Sequence, residues 1–232
     1  MSADPLSSID ALIAERHLLK HPFYVAWQEG KLTSDALRTY AAQYYRHVRS
    51  FPTFISALHS RCDDLTTRQA LLRNLRDEEE GPENHAALWL RFAAAVGCVT
   101  AEAEGAREEP ETSAALAAFR RAMTEGTPAR GLAALYAYES MVPAVAAEKI
   151  RGLAAHYGVL ASPGTDYFEV HRTLDVEHAG ETRALLAARL VEEDETTAGE
   201  AAEAEAGAAE ALAAINGLLD GVCRVHGIGR AA

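Results

Sequence analysis

Hydrophobic residues recur along this chain every three to four positions, which is the spacing of one face of an α-helix. No stretch of useful length alternates between apolar and polar residues as a β-strand does. The apolar faces are too extensive to be stable on isolated helices, so the helices must pack on one another. We predict helices at about residues 5–20, 23–28, 33–60, 66–96, 112–123, 127–157, 165–191 and 212–222. The pattern predicts an all-α bundle of about seven or eight helices, in a single domain over residues 1–232.

Proline, glycine and capping residues set the expected ends and bends of these helices. Pro143 lies inside one predicted helix and should bend it, because proline lacks the backbone N–H that the helix needs. Gly81-Pro82 should kink another predicted helix. The start of that helix is predicted at Thr66-x-x-Gln69, which has the pattern of a capping box.

Two stretches have no clear apolar face. Residues 97–110 are acidic and contain glycine, so we predict a surface loop there. Residues 192–207 are rich in Glu and Ala and have few large apolar side chains. This segment is either a solvated helical extension or a mobile linker, and the sequence favours neither.

Composition and charge narrow the possible partners. Hydrophobic residues make up 49% of the chain, which supports a packed core. The net charge of −12 argues against nucleic acid or an anionic membrane as a partner. The three cysteines have no pairing spacing, and we see neither a signal-peptide pattern nor a stretch of about 18 uncharged apolar residues. We therefore expect a cytoplasmic protein without a membrane span.

Candidate chemistry is concentrated on one face of the predicted helix 165–191. His171, Asp175 and His178 are spaced so that helical geometry places them in one stripe, and Tyr167 extends this stripe by a turn. Imidazole and carboxylate groups are the usual protein ligands of iron, manganese and zinc. The motif His-x3-Asp-x2-His therefore predicts part of a metal site.

Acidic residues and a histidine on other helices extend the candidate ligand set. Glu139 lies in an apolar stretch, where a carboxylate without a partner is costly to bury. Glu78 and His85 are two turns apart if their helix is continuous. Glu78 belongs to a run of four acids, however, and periodicity alone does not show which of them faces inward. The full set is Glu78, His85, Glu139, His171, Asp175 and His178, which suffices for two metal ions with open positions.

The order of these six residues resembles the ligand pattern of the haem-oxygenase-like dimetal oxidases. The likeness is to the chlamydial protein associating with death domains (CADD) and its bacterial relatives, and it extends to the PqqC and TenA groups. The segments His21-Pro-Phe-Tyr24 and Asn84-His85 belong to it, and it covers about residues 21–190. The resemblance implies a haem-oxygenase-like bundle of about seven helices that holds two metal ions, Fe/Fe or Mn/Fe. It also implies a possible homodimer.

The same resemblance implies a reaction. CADD-like proteins are associated with an oxygen-dependent synthesis of p-aminobenzoate for folate, which uses dioxygen and an external reductant. Tyr24 matches the tyrosine that provides the ring, and Lys149 matches the lysine that provides the amino group. Tyr40, Tyr138 and Tyr167 match further tyrosines of that pattern.

The residues themselves leave the state of Lys149 open. It is one of three lysines and the only one in an apolar helix, so a buried amine with a lowered pKa is one interpretation. In the other, the amine extends to the surface beside Glu148 and Arg151. The tyrosines similarly allow a role in chemistry or ordinary core packing.

Other functions fit the same pattern. A dimetal oxidase acting on an external small molecule needs the six ligands but neither Tyr24 nor Lys149. A PqqC-like oxidase keeps the fold without a metal, and a non-enzymatic protein would bind a partner through its acidic surface. A TenA-like thiaminase is disfavoured, because no cysteine lies where that nucleophile is expected. Metal analysis of the purified protein separates the two metal-dependent functions, p-aminobenzoate synthesis and the dimetal oxidase, from the others.

Overall fold

Helices follow one another along the described chain, which comprises residues 6–190 and 195–229 of a computed structural model. No β-strand occurs among those residues, so the predicted all-α class is confirmed. A 3-10 turn occupies Leu18–Lys20. The helices are α1 Ser7–Glu15, α2 Pro22–Gln28, α3 Ser34–His59, α4 Leu65–Glu79, α5 His85–Ala95, α6 Thr100–Gly105, α7 Pro110–Thr124, α8 Pro128–Glu139, α9 Val142–His156, α10 Asp166–Arg189 and α11 Glu195–His226.

Helix α8 lies at the centre of the bundle, because both α10 and α11 pack against it. All of its residues from Gly131 to Glu139 are buried. Small side chains such as Ala133 and Ala137 let the neighbouring helices come close. Since α8 is enclosed on all sides, its last residue carries the Glu139 carboxylate into the interior of the protein.

The predicted helix 127–157 is two helices, α8 and α9, with Ser140 and Met141 between them. Pro143 accounts for the break, because it has no N–H to donate to the carbonyl of Glu139. The fixed φ of proline suits the first turn of a new helix, and Pro143 occupies that turn in α9. The bend predicted from the sequence is therefore a break between two helices at Ser140 and Met141, whose backbone angles stay in the right-handed helical region.

Gly81-Pro82 divides a second predicted helix into α4 and α5. Gly81 has a φ of +81°, a left-handed conformation that glycine adopts without strain. Helix α5 then starts at His85, and the side chain of Asn84 caps it by accepting a backbone hydrogen bond of 3.0 Å. Glu78 and His85 consequently lie on different helices, not two turns apart on one.

Several predicted boundaries are also wrong by a few residues. The side chain of Asp64, and not a capping box at Thr66 and Gln69, caps α4 by accepting the N–H of Thr67 at 2.7 Å. The short helix α6 lies in the predicted loop 97–110. Helix α6 and the two divided helices explain why the described chain has eleven α-helices and not the eight predicted ranges.

The Glu/Ala-rich segment is helical as far as it is described. Helix α11 begins at Glu195, and residues 191–194 lie outside the described residues. Its alanines Ala204, Ala208 and Ala211 are buried where α11 packs on α7 and α8. Residues Ala198–His226 are long and apolar enough to cross a membrane by length and composition, but 61% of their most apolar window is buried in the fold. This is the behaviour of a core helix in a bundle.

Gly207 allows a close approach of α11 to α8, and we expect Gly207→Ala to destabilise the fold. A Cβ at this position would overlap the backbone carbonyl oxygen of Arg130, which moves only if α8 moves. Overpacking of this kind costs about 1–3 kcal/mol, which urea denaturation would measure as a lower free energy of unfolding. Gly217→Ala is the control in the same helix, since nothing lies within 4 Å of its Cβ. Alanine should stabilise that position, so equal effects at both sites would contradict the packing argument.

Candidate metal centre

Four helices bring the six predicted ligands together in the interior. Glu78 comes from α4, His85 from α5 and Glu139 from α8, and α10 provides the other three. All six side chains are buried. They form two triads, Glu78–His85–His171 and Glu139–Asp175–His178, and in each triad the candidate ligand atoms lie within 4.8 Å of one another.

Local structure explains how each helix orients its ligand. The Asn84 cap places His85 in the first turn of α5, and the Pro143 break places Glu139 at the end of α8. His171, Asp175 and His178 share one face of the uninterrupted helix α10, as the spacing predicts. Their role as metal ligands stays a prediction, but the structure supplies the geometry that the role requires.

The first triad contains one imidazole that is held by a backbone carbonyl. Nδ1 of His171 lies 2.7 Å from the carbonyl oxygen of Tyr167, which leaves Nε2 free to bind a cation. Burial, followed by the charge of His85, lowers the pKa of His171 well below its usual value, so this ring is neutral. Burial also lowers the pKa of His85, but Glu78, whose Oε2 is 2.9 Å from Nδ1 of His85, raises it overall.

The second triad places two carboxylates together out of water. Burial and then the charge of Asp175 raise the pKa of Glu139 to about 8. Burial also raises the pKa of Asp175 to about 6. The pKa of His178 is raised to about 9, because its acidic neighbours, Asp175 first, outweigh the effect of burial.

This electrostatic environment fits cations. Glu139 Oε2 and Asp175 Oδ2 are buried acceptor atoms without a hydrogen-bond donor. Buried carboxylates without compensation are unfavourable, and a metal ion satisfies both the lone pairs and the charge. Mixed carboxylate and imidazole donors with open positions suit iron and manganese. The residues present therefore fit the two-metal site that the sequence predicts.

An aromatic cluster lies beside the first triad. The ring of Tyr167 stacks on His171 with centroids 4.0 Å apart, and Trp89 contacts Tyr167 at 4.9 Å. Trp89 in turn contacts Tyr40 at 5.7 Å. In the same cluster, the hydroxyls of Tyr44 and Tyr138 are 3.0 Å apart. Aromatic contacts thus run continuously from a candidate metal ligand to Tyr40.

Lys149 is inside this cluster, so its alternative placement at the surface is wrong. The side chain is buried, and its Nζ donates a hydrogen bond to the hydroxyl of Tyr40. No acidic side chain offsets the effect of burial, which lowers the pKa of Lys149 well below its usual value. Burial therefore favours the neutral form of the amine, which has a free electron pair.

Tyr24 lies against the same amine. Its exposed fraction is 0%, and its ring centroid is 5.7 Å from Nζ of Lys149. Burial and then the neighbouring Tyr44 raise the pKa of Tyr24 well above its usual value, so its hydroxyl is protonated. All five residues predicted from the resemblance, Tyr24, Tyr40, Tyr138, Lys149 and Tyr167, consequently belong to one connected group near the first triad.

A narrow cavity joins the amine of Lys149 to His171. Tyr44, Tyr138, Tyr167 and Phe168 line it on the aromatic side, and Leu18, Val142, Val145 and Ala146 form its apolar wall. Apolar walls keep water away from the amine and help to keep it neutral.

Sequence reasoning missed two polar side chains of α4 that contact the second triad. Nδ2 of Asn74 donates to Oε1 of Glu139 at 2.6 Å, and Oδ2 of Asp77 is 3.0 Å from Nε2 of His178. The available signal was the spacing of Asn74, Asp77 and Glu78, which places all three on neighbouring parts of one helix face.

The sequence of this chain matches those of known proteins. The family model described as TENA/THI-4/PQQC matches residues 7–206. The chain belongs to this family. It is 45% identical to the 4-aminobenzoate synthase of Chlamydia muridarum over 186 residues, which are 80% of this chain and 79% of that protein. It is 41% identical to the 4-aminobenzoate synthase of Nitrosomonas europaea over 223 residues, covering 92% and 89% of the two chains.

Solved structures agree on the fold of this TENA/THI-4/PQQC family member. A protein of unknown function with a haem-oxygenase-like fold from Shewanella denitrificans superposes with a TM-score of 0.77 at 17% identity, covering 94% of this chain and 90% of that one. A CADD-like protein from Nostoc punctiforme gives 0.74 at 15% identity, with coverages of 95% and 96%. The predicted haem-oxygenase-like fold and the CADD, TenA and PqqC resemblance are therefore confirmed.

Proposed function

We propose that this protein makes p-aminobenzoate, the compound also called 4-aminobenzoate, in an oxygen-dependent reaction. The proposal is supported by the relatives named 4-aminobenzoate synthase, at 41–46% identity. The structural observation that carries it is the buried amine of Lys149, whose pKa burial lowers, beside the ring of Tyr24 and next to two triads of metal-ligand type. In this proposal Tyr24 is the source of the ring and Lys149 donates the amino group.

The metal-binding part of the proposal assigns Glu78, His85 and His171 to one ion and Glu139, Asp175 and His178 to the other. When bound, an Fe/Fe or Mn/Fe pair supplies the redox chemistry that activates dioxygen, with electrons from an external reductant. Every other requirement falls on side chains of this chain, which must exclude water, orient the reacting groups and hold protons.

The tyrosines and Lys149 divide these tasks between them. Tyr40 accepts the hydrogen bond from Lys149 and so orients its electron pair. Tyr167 stacks on His171 and contacts Trp89, whose ring centroid lies 5.3 Å from Nζ of Lys149. Tyr138 holds its hydroxyl against that of Tyr44, which keeps a proton within the buried cluster. A neutral amine is required for amino transfer, because a protonated one has no electron pair to donate.

The test is the intact mass of the metal-free protein before and after addition of iron(II), reductant and oxygen. We expect at most about one p-aminobenzoate per chain, with mass changes that peptide mapping locates at Tyr24, which loses its ring, and at Lys149, which loses its amino nitrogen. A second reaction with manganese(II) and iron(II) tests the mixed-metal pair. Formation of p-aminobenzoate with an unchanged protein mass would contradict the self-sacrificing reaction.

One observation favours a second candidate, an oxidase acting on an external small molecule. The chain is also 28% identical over 172 residues to a protein named pyrroloquinoline-quinone synthase from Ruegeria pomeroyi. The number of turnovers distinguishes the two candidates. An added substrate that is converted many times per chain, with Tyr24 intact, would favour the oxidase.

A further inference from the structure

The second triad contains a histidine whose ring is held from outside by an acidic residue. Oδ2 of Asp77 lies 3.0 Å from Nε2 of His178, and the side chain of His178 is only 7% exposed. Nδ1 of the same ring faces the triad, 3.8 Å from Oδ1 of Asp175. Asp77 belongs to neither triad, and it contacts the other nitrogen of the ring, Nε2.

We infer that Asp77 is a positioning residue for the second metal ion, an inference that rests on the metal centre of the proposed function. By accepting a hydrogen bond from Nε2–H, Asp77 fixes the tautomer of His178 in which Nδ1 carries the free electron pair. A carboxylate behind a ligating imidazole also makes that imidazole a stronger donor. Nδ1 is thereby presented to the cation together with Asp175 and Glu139.

Helix α4 holds a second ligand of the same ion in a similar way. Asn74, one turn before Asp77, donates to Oε1 of Glu139, and this leaves Oε2 of Glu139 without a donor and free to bind a cation. In the first triad, Nδ1 of His171 is held by the backbone of its own helix, and Nδ1 of His85 lies 2.9 Å from Glu78, which is itself a member of the triad. Loss of Asp77 should therefore weaken the binding of the second metal ion and leave the binding of the first unchanged.

Asp77 also joins α4 to α10, so the experiment needs a control residue that joins the same two helices without contacting a ligand. Arg73 provides one, because its Nη2 forms an ion pair of 3.0 Å with Glu181 of α10 and touches no candidate ligand. Asp77→Asn provides a conservative variant, since its amide oxygen still accepts the hydrogen bond from His178 but lacks the charge. The Asp77 side chain is 43% exposed, so replacing it with asparagine or alanine leaves no large cavity.

The experiment is an anaerobic titration of the metal-free protein with Mn²⁺, in which electron paramagnetic resonance measures the free ion. We expect two ions per chain in the wild type. In Asp77→Ala one of the two should bind about 10- to 100-fold more weakly, with an intermediate loss in Asp77→Asn and wild-type binding in Arg73→Ala. Thermal unfolding of each variant checks that the fold is retained.

Three results would overturn the inference: equal weakening of both ions in Asp77→Ala, an unchanged isotherm, or the same loss in Arg73→Ala. If the wild type binds two ions and Asp77→Ala is unaffected, only the role of Asp77 is wrong. A wild-type protein that takes up no Mn²⁺ or iron(II) would contradict the metal centre as well, and with it the proposed function.

Discussion

Tyr24→Phe is expected to abolish p-aminobenzoate formation while the protein still folds and binds metal. The Tyr24 ring is fully buried against Lys149, and phenylalanine has the same ring without the hydroxyl. Removal of one buried hydroxyl changes stability by only about 1 kcal/mol, so loss of fold would not explain loss of product. None of the six candidate ligands changes, so the metal content should equal that of the wild type.

The measurement is p-aminobenzoate per chain by mass spectrometry, with metal content determined on the same sample. Tyr136→Phe is the matched control, because the hydroxyl of Tyr136 donates to Asp10 of α1 and lies outside the cluster around Lys149. We expect the control to form product as the wild type does. Product from Tyr24→Phe at the wild-type level would show that the ring has another source.

Lys149→Met is expected to abolish the product and, at the same time, to make the protein more stable at pH 7. Burial lowers the pKa of the native amine well below its usual value, whereas the unfolded amine is protonated below about pH 10. An apolar side chain of similar size does not have to lose a proton on folding, so Lys149→Met should raise the free energy of unfolding at pH 7 by about 1 kcal/mol or more. The lysine therefore weakens the fold at neutral pH, as expected for a residue retained for chemistry.

The difference between the native and unfolded pKa of Lys149 also sets how the stability of the protein changes with pH. Between the lowered pKa of the native amine and about pH 10, the unfolded state binds one proton more than the native state at this residue, so stability rises with pH there by up to about 1.4 kcal/mol per unit. Urea denaturation at several pH values should show that contribution in the wild type and its loss in Lys149→Met. Lys31→Met is the control, because this lysine is exposed and paired with Glu29. Identical slopes in wild type and Lys149→Met would mean that the native amine is charged.

The stripe on α10 could be predicted from the sequence because it depends on one uninterrupted helix. His171, Asp175 and His178 share a face wherever that helix packs, so spacing alone identified them. Glu78 could not be chosen from its acidic run in this way. It faces inward, with Asp77 beside it directed at His178, because of how α4 packs on α5 and α10.

The state of Lys149 also depended on tertiary structure. From the local sequence alone, its neighbours Glu148 and Arg151 favoured the surface over the core. The amine is buried because rings from α2, α3, α5 and α10 surround it, and no local pattern contains that information. The helix breaks at Pro143 and Gly81 were visible in sequence as bends, but whether the chain bends or breaks is decided by the packing on either side.

Because Tyr24 is completely buried, the proposed reaction would destabilise the protein that carries it out. A chain that has lost this ring keeps a cavity in its core, and removal of a buried aromatic side chain destabilises proteins by about 3–5 kcal/mol. The total stability of a domain is only about 5–15 kcal/mol. A spent chain would thus unfold more often than a fresh one, and cellular proteases that degrade unfolded chains would clear it without a dedicated signal. Synthesis of each product molecule would then be coupled to the replacement of the protein that made it.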